Sequence, residues 1–175
     1  RLELALHQIK PHFLQNALMS IKVLCRTRPK EAEQAVYDFA VFLRGNMNAL
    51  ESAEMILFRE ECKTIERYLH IEKMRFGERL QVQWDLQEEK FQIPPLTIQP
   101  LVENAVCHGI CQKMEGGTVQ IRSFRKNGEI CVQILDDGAG FDTEKLKDAD
   151  GIAIRNLKLR LKEFLNADLE IESRK

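Results

Sequence analysis

The chain has no apolar run long enough to cross a bilayer, and its first residues carry no signal-peptide pattern. It has no surplus of charge: 26 Lys and Arg stand against 27 Asp and Glu, a net charge of −1. That removes the broad electrostatic case for a nucleic-acid or anionic-membrane partner. Aromatic residues are only 7% of the 175 and do not interleave with basic ones, so no base-stacking platform is present. The five cysteines are an odd number without the close spacing of a disulfide framework, which favours a reducing compartment. No P-loop, Ser-His-Asp pattern, internal repeat or low-complexity tract is found. Cys107, His108 and Cys111 invite a zinc reading but have no fourth ligand nearby.

What is present begins with two amphipathic helices. Leu2, Leu6, Ile9, Phe13, Ala17, Leu18, Ile21 and Leu24 recur at helical spacing. "TRPKE" breaks the pattern, and Pro29 suits the first position of a second helix. Its stripe is Ala32, Ala35, Val36, Phe39, Leu43, Met47 and Leu50. A lone helical hairpin buries little, so the two stripes predict a dimeric four-helix bundle with Phe39 and Leu43 at the contact. A charged third helix over Phe58 to Phe76 should end at Gly77.

Beyond Gly77 the character changes. "LQVQWDL", "GTVQIRSF" and "EICVQILDD" alternate as strands do. "PPLTIQPLVENAVCHG" reads as a helix entered through prolines, and "GIAIRNLKLRLKEFL" as a helix before a final "LEIES" strand. The fold class is α+β, with an all-α part over 1–76 and an α+β part over 77–175. Both ends look cut, which predicts a longer parent protein.

Four stretches carry chemistry. In "QIKPHFLQNAL", Pro11 removes a helical N–H and predicts a kink beside His12. His12 lies roughly 110° from the apolar stripe, at the border of the solvent face. An accessible imidazole, largely neutral at pH 7, is a competent nucleophile if a phosphoryl donor is supplied. In "DDGAGF", Asp136, Gly138 and Gly140 form D-x-G-x-G after a strand. The glycines permit a sharp turn and close approach to a flat ligand, and the carboxylate could accept from an exocyclic amine. Alone, such a motif often marks only a turn. In "LVENAVCHG", Glu103 and Asn104 offer hard oxygen ligands suited to Mg²⁺, with His108 one turn further on. Gly151 precedes a helix bearing Arg155, Lys158 and Arg160, where free N–H groups would favour a phosphate.

Taken in order, these stretches resemble the cytoplasmic part of LytS-like sensor histidine kinases across essentially the whole chain. "QIKPHFLQNAL" is similar to that family's Q-x-x-P-H-F-x-x-N phosphoacceptor box, and "IERYLHIEKMRFGERL" to its linking segment. "IPPLTIQPLVENAVCHG" resembles its N box, "DDGAGF" its first glycine box and "GIAIRNLKLRL" its second. The resemblance implies a GHKL-type α/β sandwich that binds ATP and Mg²⁺. It implies His12 as the phosphorylated imidazole, Asn104 as the Mg²⁺ ligand and Glu103 as the adjoining acid. Asp136 becomes the adenine reader, and Gly138, Gly140 and Gly151 shape the pocket and its lid. His108, Asn156 and Arg160 join the nucleotide-binding set.

The implied activity is autophosphorylation on His12, then transfer to an aspartate of a response-regulator receiver domain. A homodimer is implied, on the cytoplasmic side of a bacterial cell membrane, in a parent with a membrane sensor region outside this chain. Three departures stand out. Ala153 replaces the second glycine of the second glycine box. Cys107 replaces a common basic residue, for which His108 or Arg160 could compensate. Two further strands usual in the fold are missing after Lys175. These departures keep a rival open, a dimeric module that binds ATP without efficient transfer. A second rival is an ATPase in which Glu103 activates water.

Overall fold

The computed structural model describes residues 11–51, 54–140 and 149–172. Two helices open it, α1 over Pro11–Thr27 and α2 over Pro29–Glu51. They are joined through Arg28 alone, whose N–H bonds the Leu24 carbonyl at 2.8 Å. Pro29 starts α2 as expected, where its missing N–H costs nothing. Leu2, Leu6, Ile9 and the turn that Pro11 would kink lie outside the described residues.

A two-residue strand, β1 (Ile56–Leu57), leads into α3 (Phe58–Phe76). β1 pairs antiparallel with β3 (Gln92–Ile93), and the Phe58 ring stacks on Phe91 at 4.7 Å. That clamp fixes the start of α3. Gly77, at φ +57°, ends it as expected, in a conformation that favours glycine. The expected strands then form a mixed sheet. β2 (Leu80–Leu86) runs parallel to β4 (Gly117–Lys126), which pairs antiparallel with β5 (Glu129–Asp136). Between β3 and β4 lies α4 (Gln99–Asn104) with its irregular continuation. α5 (Ala149–Leu165) follows the sheet.

One interior runs through both halves. Phe13 of α1 meets Phe42 of α2 at 5.2 Å and Tyr68 of α3 at 5.1 Å, ring centre to ring centre. The same apolar cluster continues through Leu80, Val102 and Val106 to Val119 and Ile121 of the sheet. Four helices, α1 to α4, and the sheet therefore share one core across Gly77.

The helical stripes differ from the periodic reading in detail. Leu18, Val36 and Met47 point outward, while Asp38 and Asn46 point in. Phe39 and Leu43, expected at a dimer contact, pack partly buried against the chain's own core. The inward polar positions are tolerated because they are paired. Asp38 binds His70 Nδ1 at 2.6 Å and Gln34 at 3.1 Å, and Asn46 binds Gln99 at 2.9 Å. The expected final strand is corrected: Leu169–Glu172 is irregular. Its side chains keep the in-out alternation, but among the described residues no neighbouring strand supplies the ladder that an isolated strand needs.

Candidate functional site

His12 lies in the first described turn of α1. Phe13 beside it is driven into the aromatic core, so the helix turns His12 out to solvent. One turn later, Asn16 Nδ2 sits 3.1 Å from His12 Nδ1 and 3.2 Å from Nε2. The amide can therefore donate to whichever ring nitrogen lacks a proton.

His12 opens onto a cleft of about 690 Å³. Its far wall is Cys107, His108 and Cys111, and its floor includes Glu72 and Arg75 of α3. The wall is built by the backbone after α4. From Ala105 to Gly109 the helix widens into a π turn, then tightens over Ile110–Gln112. Such widening re-aims side chains and recurs at functional sites. Tyr68 OH lies 3.9 Å from Cys107 Sγ, and Arg75 Nη2 donates to Cys111 Sγ at 3.7 Å. Arg75 also pairs with the buried Glu72 at 3.0 Å and covers the Phe76 ring at 4.1 Å. Burial pushes the Cys111 thiol up to about 11 and raises the Tyr68 and Glu72 pKa values. Arg75 pulls Glu72 back down in part. A thiol held this high carries little thiolate at neutral pH.

The start of α4 is held by a buried carboxylate. Glu61 of α3 accepts the backbone N–H groups of Ile98 at 2.6 Å and Gln99 at 3.0 Å. These are orphan donors of a helix N-terminus, and Glu61 caps them from another helix. Its burial raises the pKa to about 7, against the opposing pull of the N–H groups and of Arg160. Further along α4, Gln99 Nε2 donates to Glu103 Oε1 at 2.8 Å.

Asp136 ends β5, and its Oδ1 accepts the Gly138 N–H at 3.0 Å. The residue is exposed, yet its carboxyl is pressed against Gly109, and the lost solvation pushes its pKa up. Gly138 packs on the backbone of Gly109, where a β-carbon would overlap. Ala139 N–H bonds the Gly109 carbonyl at 3.2 Å. The glycine turn is thus docked on the end of the Glu103–His108 segment. Gly140 takes φ +65°. Arg160 of α5 donates to the Pro95 carbonyl.

A protein-family model described as histidine kinase matches residues 1–80. YwpD of Bacillus subtilis is 37% identical over 99% of this chain and 66% of its own length. The sensor histidine kinase BtsS of Escherichia coli is 36% identical over 94% of this chain and 29% of its own length. The sensor protein LytS of Bacillus anthracis is 30% identical over 88% of this chain and 28% of its own length. The chain belongs to the LytS-like sensor histidine kinase family. It spans less than a third of LytS and BtsS. A histidine kinase domain from a blue-light activated kinase of Erythrobacter litoralis shares the fold, with a TM-score of 0.52 at 14% identity over 94% of this chain and 90% of that one.

Within this histidine kinase region, the structure brings His12 and His108 to one cleft and ties Asp136 and Gly138 to Gly109. Glu103 and Asn104 end α4, directly before the widened turn. Asn156 is exposed on α5, and Arg160 is engaged by the proline turn rather than lining the cleft. Gly151 falls inside the first described turn of α5 instead of before it. Phe141, of the first glycine box, and the segment 142–148 lie outside the described residues. Among the described residues no cluster of three potential metal ligands occurs. No described helix is long and apolar enough to cross a membrane. Sequence reasoning missed Gly109, Glu61 and Gln99. Gly109 could have been found from the box it ends; the other two work through partners far away in sequence.

Proposed function

We propose that this region is an ATP-dependent protein histidine kinase in which His12 takes the γ-phosphoryl group. The observation that supports this most is the shared cleft: the exposed imidazole of His12 faces the segment that follows Glu103 and Asn104. The residues fit the implied ligands. Gly109 and Gly138 leave out side chains where the loop must lie flat, and Asp136 has a second oxygen for an exocyclic amine. Asn104 and Glu103 offer the oxygen donors that Mg²⁺ takes alongside phosphates and water. When bound, Mg·ATP supplies the electrophilic phosphoryl group and the metal's neutralising charge.

The unprotonated nitrogen of His12 forms the N–P bond as the P–O bond to ADP breaks. The proton on the other ring nitrogen then leaves to a base. Asn16 Nδ2 can donate only to the unprotonated nitrogen, so this contact orients the resting ring and is released before the imidazole attacks. Glu103 is the carboxylate on the helix that bears Asn104. Most of the protein's task is orientation and charge stabilisation.

The α/β sandwich of the GHKL type, with its boundary near Gly77, belongs to the same proposal. So does a homodimer through the apolar side chains left outward on α1 and α2, Leu18, Met19, Val23, Val36 and Tyr37. A response-regulator receiver domain is the proposed second acceptor, and the cytoplasmic face of the membrane the proposed location. Incubation with γ-labelled ATP and Mg²⁺ tests the reading: label that is acid-labile and base-stable supports it. ATP turnover without a labelled protein would favour hydrolysis. ATP binding without either would favour the signalling module.

A further inference from the structure

We infer that Asn46 and Gln99 are positioning residues that orient the Glu103 carboxylate from the hairpin carrying His12. The inference rests on the kinase reading for what Glu103 does, but not for the network itself.

The hydrogen bonds have one consistent direction. Asn46 Nδ2 donates to the Phe42 carbonyl at 2.9 Å. Asn46 Oδ1 therefore faces the other way and accepts from Gln99 Nε2 at 2.9 Å. The same Gln99 nitrogen donates to Glu103 Oε1 at 2.8 Å. Its two hydrogens are thus both committed. The Phe42 carbonyl and an ionised Glu103 can only accept, so reversing either amide sets acceptor against acceptor. Asn46 and Gln99 are 4% and 3% exposed, which excludes water as an easy substitute. Gln99 Oε1 is left buried without a partner among the described residues. A buried unmatched acceptor costs stability, and retaining it places the donor end on Glu103.

The network also reaches His12. Phe42, whose carbonyl anchors Asn46, packs its ring on Phe13, the residue after His12. α2 thereby grips the phosphoacceptor helix through an aromatic contact and Glu103 through two amides. A shift of α2 would move both together.

The test uses the full-length protein, with single-turnover phosphorylation and nucleotide affinity measured separately. Asn46→Leu keeps the burial but removes the acceptor. It is expected to slow phosphorylation by about tenfold, part of the roughly 10²–10⁴ that acid–base groups supply, with nucleotide affinity unchanged. Gln99→Met should behave alike. Asn46→Asp keeps an oxygen to accept from Gln99 Nε2 and should recover the rate in part. In a Glu103→Gln background, Asn46→Leu should have no further effect. Equal slowing in both backgrounds, or loss of rate only in step with nucleotide affinity, would overturn the inference. The Gln99 side-chain amide is read independently by ¹⁵N NMR. Its slow hydrogen exchange should be lost in Asn46→Leu. Unlabelled wild-type protein would sink the kinase reading, while unchanged exchange in Asn46→Leu would sink the relay.

Discussion

The carboxyl group of Asp136 lies directly against the α-carbon of Gly109. A β-carbon at Gly109 would meet Asp136 Cγ at 2.9 Å and Oδ1 closer still. Two boxes far apart in sequence thus form one surface only because position 109 has no side chain. Gly109→Ala should displace Asp136 and the Gly138 turn. Overpacking of this kind costs about 1–3 kcal/mol. A fluorescent ATP analogue titrated into the folded variant should show at least a tenfold loss of affinity, paralleled by Asp136→Ala. Unchanged affinity would separate Asp136 from nucleotide binding.

Glu61 makes stability depend on pH. Its pKa is raised from the ordinary 4.5 to about 7, so the folded state holds a proton that the unfolded chain releases within that window. The resulting contribution is fully present below pH 4.5 and is lost as pH rises through about 7. Its size is on the order of 3 kcal/mol. Urea unfolding at pH 5 and pH 8 checks this. Glu61→Gln keeps an acceptor for the Ile98 and Gln99 N–H groups but cannot titrate, so it should flatten this part of the profile. Glu72, raised in the same direction, will leave a residual slope.

Phe13 separates folding from chemistry at the phosphoacceptor. It is 5% exposed and touches three aromatic rings. Phe13→Ala should destabilise by about 3–5 kcal/mol. His12→Gln, one residue away but solvent-facing, should leave the unfolding midpoint nearly unchanged. Chemical denaturation of the two variants decides it.

Much of the fold was legible, and the misses share a cause. Phe13, Ala17, Ile21 and Leu24 follow the helical stripe, and Pro29 and Gly77 mark real helix ends. Periodicity failed where burial is polar. Asn46 is buried because Gln99 meets it from 53 positions away, and Asp38 because His70 does so from 32. A local window sees neither partner. Leu18 and Val36 fail in the opposite sense: apolar residues at helical spacing that remain outside. The site showed the same division. His12 and the D-x-G-x-G turn were readable as local patterns. Glu61, which caps α4 from α3, was not, because a cap supplied by a distant helix leaves no local mark.

Those outward residues carry the dimer prediction. Phe39 and Leu43 serve the chain's own core, so charging them would report on folding. Met19→Glu with Val36→Glu, both at exposed positions, should convert a dimer to a monomer by light scattering while the circular dichroism spectrum is retained. A dimer that survives would place its interface elsewhere.

The most direct test of the central claim is to locate the phosphoryl group. The chain has four histidines, and among the three described only His12 combines exposure, the Asn16 contact and the cleft. After reaction with γ-labelled ATP and Mg²⁺, peptide mapping at alkaline pH should find the label on the peptide containing His12. His12→Gln should abolish it, and His70→Gln and His108→Gln should not shift it to another site. Label on a different histidine, or label that persists in His12→Gln, would contradict the account.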